Sequence, residues 1–96
     1  MRLEYTDDAG VPQVCVLSQA TIEIGRVSEC QIRVDDGTVT RRHARVRSLD
    51  GHHHVDDLGS DNGTYVNGQR VKSTVLRPGD TIQCGRFVLR YVEDAQ

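Results

Sequence analysis

Two stretches of the chain carry side chains suited to binding an anion. In Ile24-Gly25-Arg26 an apolar strand ends in a glycine, so that Arg26 enters the following loop with its guanidinium free. In the stretch TVTRRHARV, Thr40 supplies a hydroxyl donor and Arg41 a second guanidinium. The planar fork of arginine forms charge-assisted hydrogen bonds with phosphate and carboxylate oxygens. The two stretches predict an anion site, provided that the fold brings their loops together.

A third stretch, GSDNGTYVNG, adds a group that can recognise a peptide backbone. It places Asp61 and Asn62 in a loop longer than a tight turn needs, and the Asn62 carboxamide can both donate and accept hydrogen bonds. Gly63 ends this loop, whereas Asn67 and Gly68 form the pair preferred in a two-residue hairpin turn. We therefore expect a binding loop followed by a hairpin.

His43 stands where a loop becomes a strand. Ala44 and Val46 of that strand are expected to face the core, so His43 lies on the opposite parity at the strand entrance. From this position it can lock the loop by a hydrogen bond, and we predict a supporting role rather than a catalytic one. Arg45 and Arg47 share its parity and are expected to line a solvated strand face.

The elements that position these residues are predicted to be strands. Helical periodicity is almost absent, and short alternating apolar runs are separated by turn signals such as Asp36-Gly37, Asp50-Gly51 and Pro78-Gly79-Asp80. This pattern is typical of an all-β sandwich or barrel. We predict ten strands, at Arg2–Tyr5, Val14–Leu17, Thr21–Ile24, Gln31–Val34, Ala44–Arg47, His52–Asp57, Thr64–Val66, Arg70–Val71, Thr81–Cys84 and Phe87–Val92. Alternation predicts a core of Ile22, Ile24, Ile32, Val34, Ala44, Val46, Ile82, Cys84, Phe87, Leu89 and Tyr91.

Composition limits the class of protein. The 96 residues suffice for one domain with its own core, spanning residues 1–96, and such a domain could also be excised from a longer protein. The three cysteines are odd in number and widely spaced, which favours a reducing compartment, and we expect a cytoplasmic protein. With a formal net charge of −2, one phenylalanine, three tyrosines and no tryptophan, we expect no nucleic-acid binding. No apolar stretch approaches the length of a membrane span, and we expect no membrane binding.

Catalytic and metal sites are not expected. The sequence contains no Gly-x-Ser-x-Gly elbow, and Asp56 and Asp57 are strand neighbours that point to opposite faces. His52 and His54 share a strand face, but no Cys-x-x-Cys or second histidine pair accompanies them at zinc-ligand spacing. We therefore predict no enzyme activity, no cofactor and no bound metal.

Taken together, the three stretches resemble the forkhead-associated (FHA) domain, a module that binds phosphothreonine peptides. Gly-Arg, a hydroxyl-x-x-His motif and Gly-Ser-x-Asn-Gly-Thr-Tyr-Val-Asn-Gly occur in the order and spacing of that family, and the resemblance extends over almost the whole chain. It implies a β-sandwich of about eleven strands in two sheets, including two small strands beyond those predicted above, with ligand loops at one end.

The resemblance also implies roles for individual residues. Arg26 would grip the phosphate, Thr40 would donate to it, and Arg41 would add a polar contact to the phosphorylated residue. Asn62 would hydrogen-bond the ligand backbone, and Asp61 occupies a more variable contact position. The resemblance further implies that His43 supports the loops from inside, and that Gly25, Gly63, Asn67 and Gly68 shape them.

The sequence departs from the family pattern at Thr40, where serine is usual. Threonine keeps the hydroxyl but adds a methyl that restricts its rotamers, and we expect phosphate binding to survive the change. Preference for the residues that follow the phosphothreonine would depend on variable loop positions, here Asp35, Asp36, Thr38 and Val39. The implied partner is a phosphothreonine protein or peptide, bound by a monomer. The alternative is a module of the same fold that docks on a partner, or on its own chain, without phosphate.

Overall fold

Eleven strands form two sheets in the computed structural model, which describes residues 1–18 and 21–94. The strands are β1 (Arg2–Thr6), β2 (Pro12–Val16), β3 (Ile22–Gly25), β4 (Ile32–Arg33), β5 (Ala44–Leu49), β6 (His52–Asp57), β7 (Thr64–Val66), β8 (Gln69–Val71), β9 (Ser73–Val75), β10 (Thr81–Cys84) and β11 (Phe87–Val92). The six-stranded sheet has the order β2-β1-β11-β10-β7-β8, and the five-stranded sheet β4-β3-β5-β6-β9. The β3–β4 pair is parallel. The predicted all-β sandwich is confirmed.

Each of the ten predicted strands is present: four have the predicted bounds, and the bounds of the other six shift by one or two residues. The strand β2 begins earlier than predicted, at Pro12, because an edge strand tolerates a residue without a backbone N–H. Of the two further small strands expected from the resemblance, the described residues contain one, β9. It follows β8 after a single residue, Lys72, so no turn signal marks its start.

The core lies between the two sheets. Leu3, Ile24, Ile32, Val46 and Leu89 have no exposed surface. All predicted core residues are buried except Phe87, which is half-buried and packs edge-on against Tyr5 with ring centroids 5.7 Å apart. The sequence pattern missed several buried residues, because they lie in loops or beside polar neighbours: Leu3, Leu17, Val39, Val55 and Leu76.

The outer face of β5 and β6 carries a cluster of hydrogen bonds and ion pairs centred on Asp56. Its carboxylate accepts hydrogen bonds from Arg45 Nε at 2.8 Å, Arg47 Nε at 2.6 Å and Ser73 Oγ at 2.6 Å. Asp56 is only 7% exposed, whereas the side chains of Arg45 and Arg47 are 45% and 31% exposed, as expected for a solvated face. That face also carries an ionic cluster around one buried carboxylate, which joins β5, β6 and β9. Burial alone would raise the pKa of Asp56, but the hydrogen bonds from Arg47, Ser73 and Arg45 outweigh it and hold that pKa well below its ordinary value.

The 58–63 loop between β6 and β7 passes from one sheet to the other. The strand β6 belongs to the five-stranded sheet and β7 to the six-stranded sheet. The β3–β4 and β4–β5 loops leave the five-stranded sheet, and the β10–β11 turn belongs to the six-stranded sheet. Hydrogen bonds described below link all of these segments, so both sheets contribute to one end of the sandwich.

Candidate functional site

Gly25 allows the first two loops to meet. A Cβ atom at this position would lie 2.2 Å from the Arg41 carbonyl oxygen, closer than any side chain permits. The same carbonyl accepts the backbone N–H groups of Arg26, at 2.9 Å, and Val27, at 3.2 Å. Glycine at position 25 therefore brings the loop that carries Arg26 against the loop that carries Arg41.

Arg26 and Arg41 differ from Arg42, Arg45 and Arg47 in their partners. Arg42 is paired with Glu23, and Arg45 and Arg47 with Asp56. Within residues 1–18 and 21–94, the exposed guanidiniums of Arg26 and Arg41 form no ion pair and no hydrogen bond. Two unneutralised cations therefore stand in adjacent loops, which creates a local positive potential on a chain of negative net charge.

Thr40 connects these arginines to the 58–63 loop. Its Oγ1 accepts the backbone N–H of Asp61 at 3.1 Å. Because that contact uses the oxygen as an acceptor, the hydroxyl proton remains available to a ligand. The methyl group that distinguishes threonine from serine does not prevent this arrangement.

His43 lies beneath the loops and is completely buried. Its Nδ1 accepts the backbone N–H of Thr40 at 3.0 Å, and its Nε2 lies 2.8 Å from the carbonyl oxygen of Gly63. Nδ1 must therefore be the acceptor and Nε2–H the donor, which assigns a neutral ring with its proton on Nε2. The ring connects the loop that ends in β5 with the loop that leads into β7, and it contacts no open surface where a substrate could lie.

Asp57 organises the 58–63 loop, a role that was not predicted from the sequence. Its carboxylate accepts the backbone N–H groups of Gly59, at 3.0 Å, and Ser60, at 3.1 Å, as well as the hydroxyls of Ser60 and Thr64. Burial would raise the pKa of Asp57, but these hydrogen bonds, led by that of Ser60, lower it below its ordinary value. The sequence signal is an acidic residue three positions before a serine, an arrangement in which Asp bonds the backbone that follows it.

Gly63 and Ser60 complete this loop. Gly63 is buried with a φ of +86°, a left-handed conformation that favours glycine, and its N–H donates to Ser60 Oγ at 2.9 Å. Asn62 is exposed, and its Nδ2 donates to the carbonyl oxygen of Thr38 at 2.8 Å. The Asn62 Oδ1 and the second amide proton remain available to the N–H and C=O groups of an extended peptide.

The hairpin residues lie at the margin of the site. Asn67 (φ +51°) and Gly68 (φ +82°) form the turn between β7 and β8, and the Asn67 side chain bonds Asp80 and the backbone of Thr81. Asn67 thus ties this turn to the residues that precede and begin β10. Gly68 borders a groove of about 440 Å³ whose lining also includes Thr38, Asn62, Tyr65, Gln83 and Arg86.

Neither a metal centre nor a membrane-spanning helix is found in the described part of the chain. Residues 1–18 and 21–94 contain no group of three or more His, Cys, Asp or Glu side chains placed to hold a metal ion. They also contain no helix long and apolar enough to cross a membrane. His53, the middle one of the three histidines that begin β6, instead forms a hydrogen bond with the Tyr91 hydroxyl at 2.6 Å.

The site thus combines two free guanidiniums, a hydroxyl and a carboxamide at the end of a two-sheet β-sandwich, a set of groups suited to an anion and a peptide backbone. The FHA domain model matches residues 22–85. This chain belongs to the FHA domain family, which confirms the assignment made from the sequence motifs.

Relatives and solved structures agree with this assignment. The chain is 47% identical over 78 residues to the oxoglutarate dehydrogenase inhibitor of Corynebacterium diphtheriae, covering 81% of this chain and 54% of that protein. It is 47% identical over 77 residues to the glycogen accumulation regulator GarA of Mycolicibacterium smegmatis, covering 80% of this chain and 49% of that protein. The chain therefore spans about half the length of these relatives.

Two solved structures share the architecture at higher coverage. One is the FhaA FHA domain in complex with the intracellular domain of Rv3910, with a TM-score of 0.82, 32% identity and coverage of 93% of this chain and 96% of that one. The other comes from a structural and functional analysis of phosphothreonine-dependent FHA domain interactions, with a TM-score of 0.86, 29% identity and full coverage of both chains.

Proposed function

We propose that this chain is a phosphothreonine-dependent protein-interaction module in Ser/Thr-kinase signalling, with Arg26, Thr40, Arg41, Asp61 and Asn62 as its ligand-binding residues. The observation that carries the proposal is the pair of unpartnered guanidiniums, Arg26 and Arg41, beside the hydroxyl of Thr40. Arg42, Arg45 and Arg47 are paired with carboxylates, whereas Arg26 and Arg41 stand in adjacent loops with no carboxylate partner among the described residues.

The chemistry of a phosphorylated threonine fits these groups. A phosphate monoester carries nearly two negative charges and three strong acceptor oxygens at neutral pH. Two arginines and one hydroxyl supply the donors, and charge-assisted bonds of this kind are about twice as strong as neutral ones. The Asn62 carboxamide would hold the peptide backbone next to the phosphate.

The relatives support a regulatory role. An oxoglutarate dehydrogenase inhibitor and a glycogen accumulation regulator are proteins that act by controlling others, and an FHA domain of similar structure binds an intracellular domain. We infer by analogy that this chain binds a phosphorylated protein partner and has no catalytic activity of its own.

The setting of this function is proposed on the same basis. Cys15, Cys30 and Cys84 are free thiols, and burial raises the pKa of Cys84 to about 12, so that thiol stays protonated and unreactive. Free thiols are typical of a reducing compartment, and we infer a monomer that works in the cytoplasm without metal or cofactor.

An oriented phosphothreonine peptide library tests the proposal on the intact chain. We expect one selected peptide to bind with micromolar affinity in isothermal titration calorimetry, and its unphosphorylated twin to show no binding. A phosphoserine version of that peptide measures the preference for the threonine methyl group. Equal affinity for the phosphorylated and unphosphorylated peptides would overturn the proposal in favour of phosphate-independent docking.

A further inference from the structure

Thr38 joins three separate segments at the ligand end of the sandwich. Its hydroxyl donates to Asp36 Oδ1 at 2.7 Å, and its Oγ1 accepts the backbone N–H of Arg86 at 2.9 Å. Its carbonyl oxygen accepts Asn62 Nδ2 at 2.8 Å. One residue therefore connects the β4–β5 loop with both the 58–63 loop and the β10–β11 turn, which lies 48 positions away in the chain.

The β10–β11 turn is built to approach Thr38 closely. Gly85 has a φ of +59°, and a Cβ atom there would lie 2.3 Å from the Thr38 carbonyl oxygen and 2.5 Å from its Oγ1. Gln83 Nε2 donates to the Gly85 carbonyl at 2.8 Å, which fixes the turn from the opposite side. The contact requires glycine at position 85, as the Arg41 contact requires glycine at position 25.

Two of the residues that Thr38 holds line the 440 Å³ groove. They are Asn62 and Arg86, and the half-buried Tyr65 and Thr38 itself also line it. The Arg86 side chain is 78% exposed and lies 3.8 Å from Asp36, so it is only weakly paired and can turn toward a ligand. The relative placement of Asn62 and the Arg86 turn depends on two hydrogen bonds that Thr38 accepts, one at its carbonyl oxygen and one at Oγ1.

We propose that Thr38 is a positioning residue for ligand binding. Its hydrogen bonds fix Asn62 and the Arg86 turn at the spacing that holds the peptide residues flanking the phosphothreonine. The phosphate itself would be held by Arg26, Thr40 and Arg41, which Thr38 does not contact through its side chain. This inference rests on the proposed function, and it assigns the Thr38 hydroxyl, which Asp36 and the Arg86 N–H already engage, to support of the groove that Thr38 also lines.

The side chain must act as donor and acceptor at once, which makes the role specific to a hydroxyl. Thr38→Ser keeps both hydrogen bonds of Oγ1, whereas Thr38→Val has nearly the same shape and removes both. Thr74→Val is the matched control, because Thr74 is a half-buried threonine on β9 outside the ligand loops. Comparing the three variants separates loss of the hydroxyl from the general effect of replacing threonine by valine.

The experiment titrates each variant with two ligands: a phosphothreonine peptide selected from the library, and an N-acetylated, C-amidated phosphothreonine without flanking residues. We expect Thr38→Val to weaken binding of the long peptide by about tenfold, the effect of losing one or two hydrogen bonds. Affinity for the capped amino acid should change less than twofold. Thr38→Ser and Thr74→Val should both retain the affinity of the wild-type chain for the long peptide.

Amide hydrogen exchange supplies a readout of the network itself. In Thr38→Val the Arg86 amide loses its acceptor and should exchange faster, whereas the Tyr91 amide, bonded to Asp80, should not change. Gly85→Ala tests the same contact without altering Thr38, and it should likewise weaken the long peptide alone.

Equal losses for both ligands in Thr38→Val would mean that Thr38 only stabilises the fold, and no loss for either would mean that the groove is not used. Either result overturns the inference. If the wild-type chain itself did not distinguish phosphorylated from unphosphorylated peptide, the proposed function would fail instead, so the two failures are distinguishable.

Discussion

Replacing Arg26 by alanine is the most direct test of the phosphate site. The side chain is exposed and has no carboxylate partner among the described residues, so its removal breaks no ion pair there. Its backbone N–H, which bonds the Arg41 carbonyl, is retained. We therefore expect the free energy of unfolding to change by no more than about 0.5 kcal/mol, as for other surface substitutions.

The expected loss of affinity is much larger. A hydrogen bond to a charged group contributes about 1.5–3 kcal/mol, and a guanidinium can form two with a phosphate. One to two such bonds contribute about 1.5–6 kcal/mol, and because the site is open to solvent we take the lower part of that range, about 2–4 kcal/mol. Since about 1.4 kcal/mol corresponds to a factor of ten, Arg26→Ala should weaken phosphopeptide binding by roughly 30-fold to 700-fold.

The assay is calorimetric titration of the selected phosphopeptide into the wild type, Arg26→Ala and Arg90→Ala, with thermal unfolding of each. Arg90 is an exposed arginine on β11, so its removal makes the same change in net charge away from the loops. Affinity of the wild type should also fall as salt rises, because exposed charges are screened beyond about 10 Å at 0.1 M ionic strength. Equal effects of the two substitutions, or a loss explained by unfolding of Arg26→Ala, would refute the assignment of Arg26 to the phosphate.

Three further predictions concern His43, Thr40 and Asp56. His43→Ala should lower both stability and binding, since it removes two buried hydrogen bonds and leaves a cavity. We expect the free energy of unfolding, measured with urea, to fall by about 3 kcal/mol. Unchanged stability would contradict the supporting role. Thr40→Ser should bind the phosphopeptide at least as tightly as the wild type by calorimetry, and a weaker serine variant would show that the threonine methyl group contributes to binding. The low pKa of Asp56 contributes stability that is complete above its ordinary value of 3.8 and is lost as pH falls toward the lower folded value. Asp56→Asn should therefore make unfolding free energy less dependent on pH below about 4, and an unchanged acid profile would count against the Asp56 cluster.

The sequence predicted the features that depend on local pattern. Alternation identified the strands and most of the core, and the parity of His43 against Ala44 predicted a supporting role before its partners were known. The buried ring between Thr40 and Gly63 is the geometry that such a role requires. The family motifs indicated which loops would meet, because they depend on short runs of residues in a fixed order.

Features that depend on long-range pairing were not predicted. The pairing of each arginine depends on contacts between separate segments. Asp56 lies opposite Arg45 on the neighbouring strand, and Glu23 lies beside Arg42, so these arginines are paired. Thr38 meets Arg86 only after the two sheets have packed together. No single-strand periodicity contains this information, so these residues could be assigned only from the structure.

The passage of the 58–63 loop between the sheets has a thermodynamic consequence. A ligand held by Arg26 and Thr40 on one side and by this crossover on the other would connect the two halves of the fold, so unfolding would require its release. A ligand that binds only the folded chain at 100 times its dissociation constant adds about 2.7 kcal/mol to the unfolding free energy. For a domain of this size, each 1 kcal/mol raises the melting temperature by about 4–8 °C. Melting temperature alone can therefore report on candidate phosphoproteins, without a label on either partner.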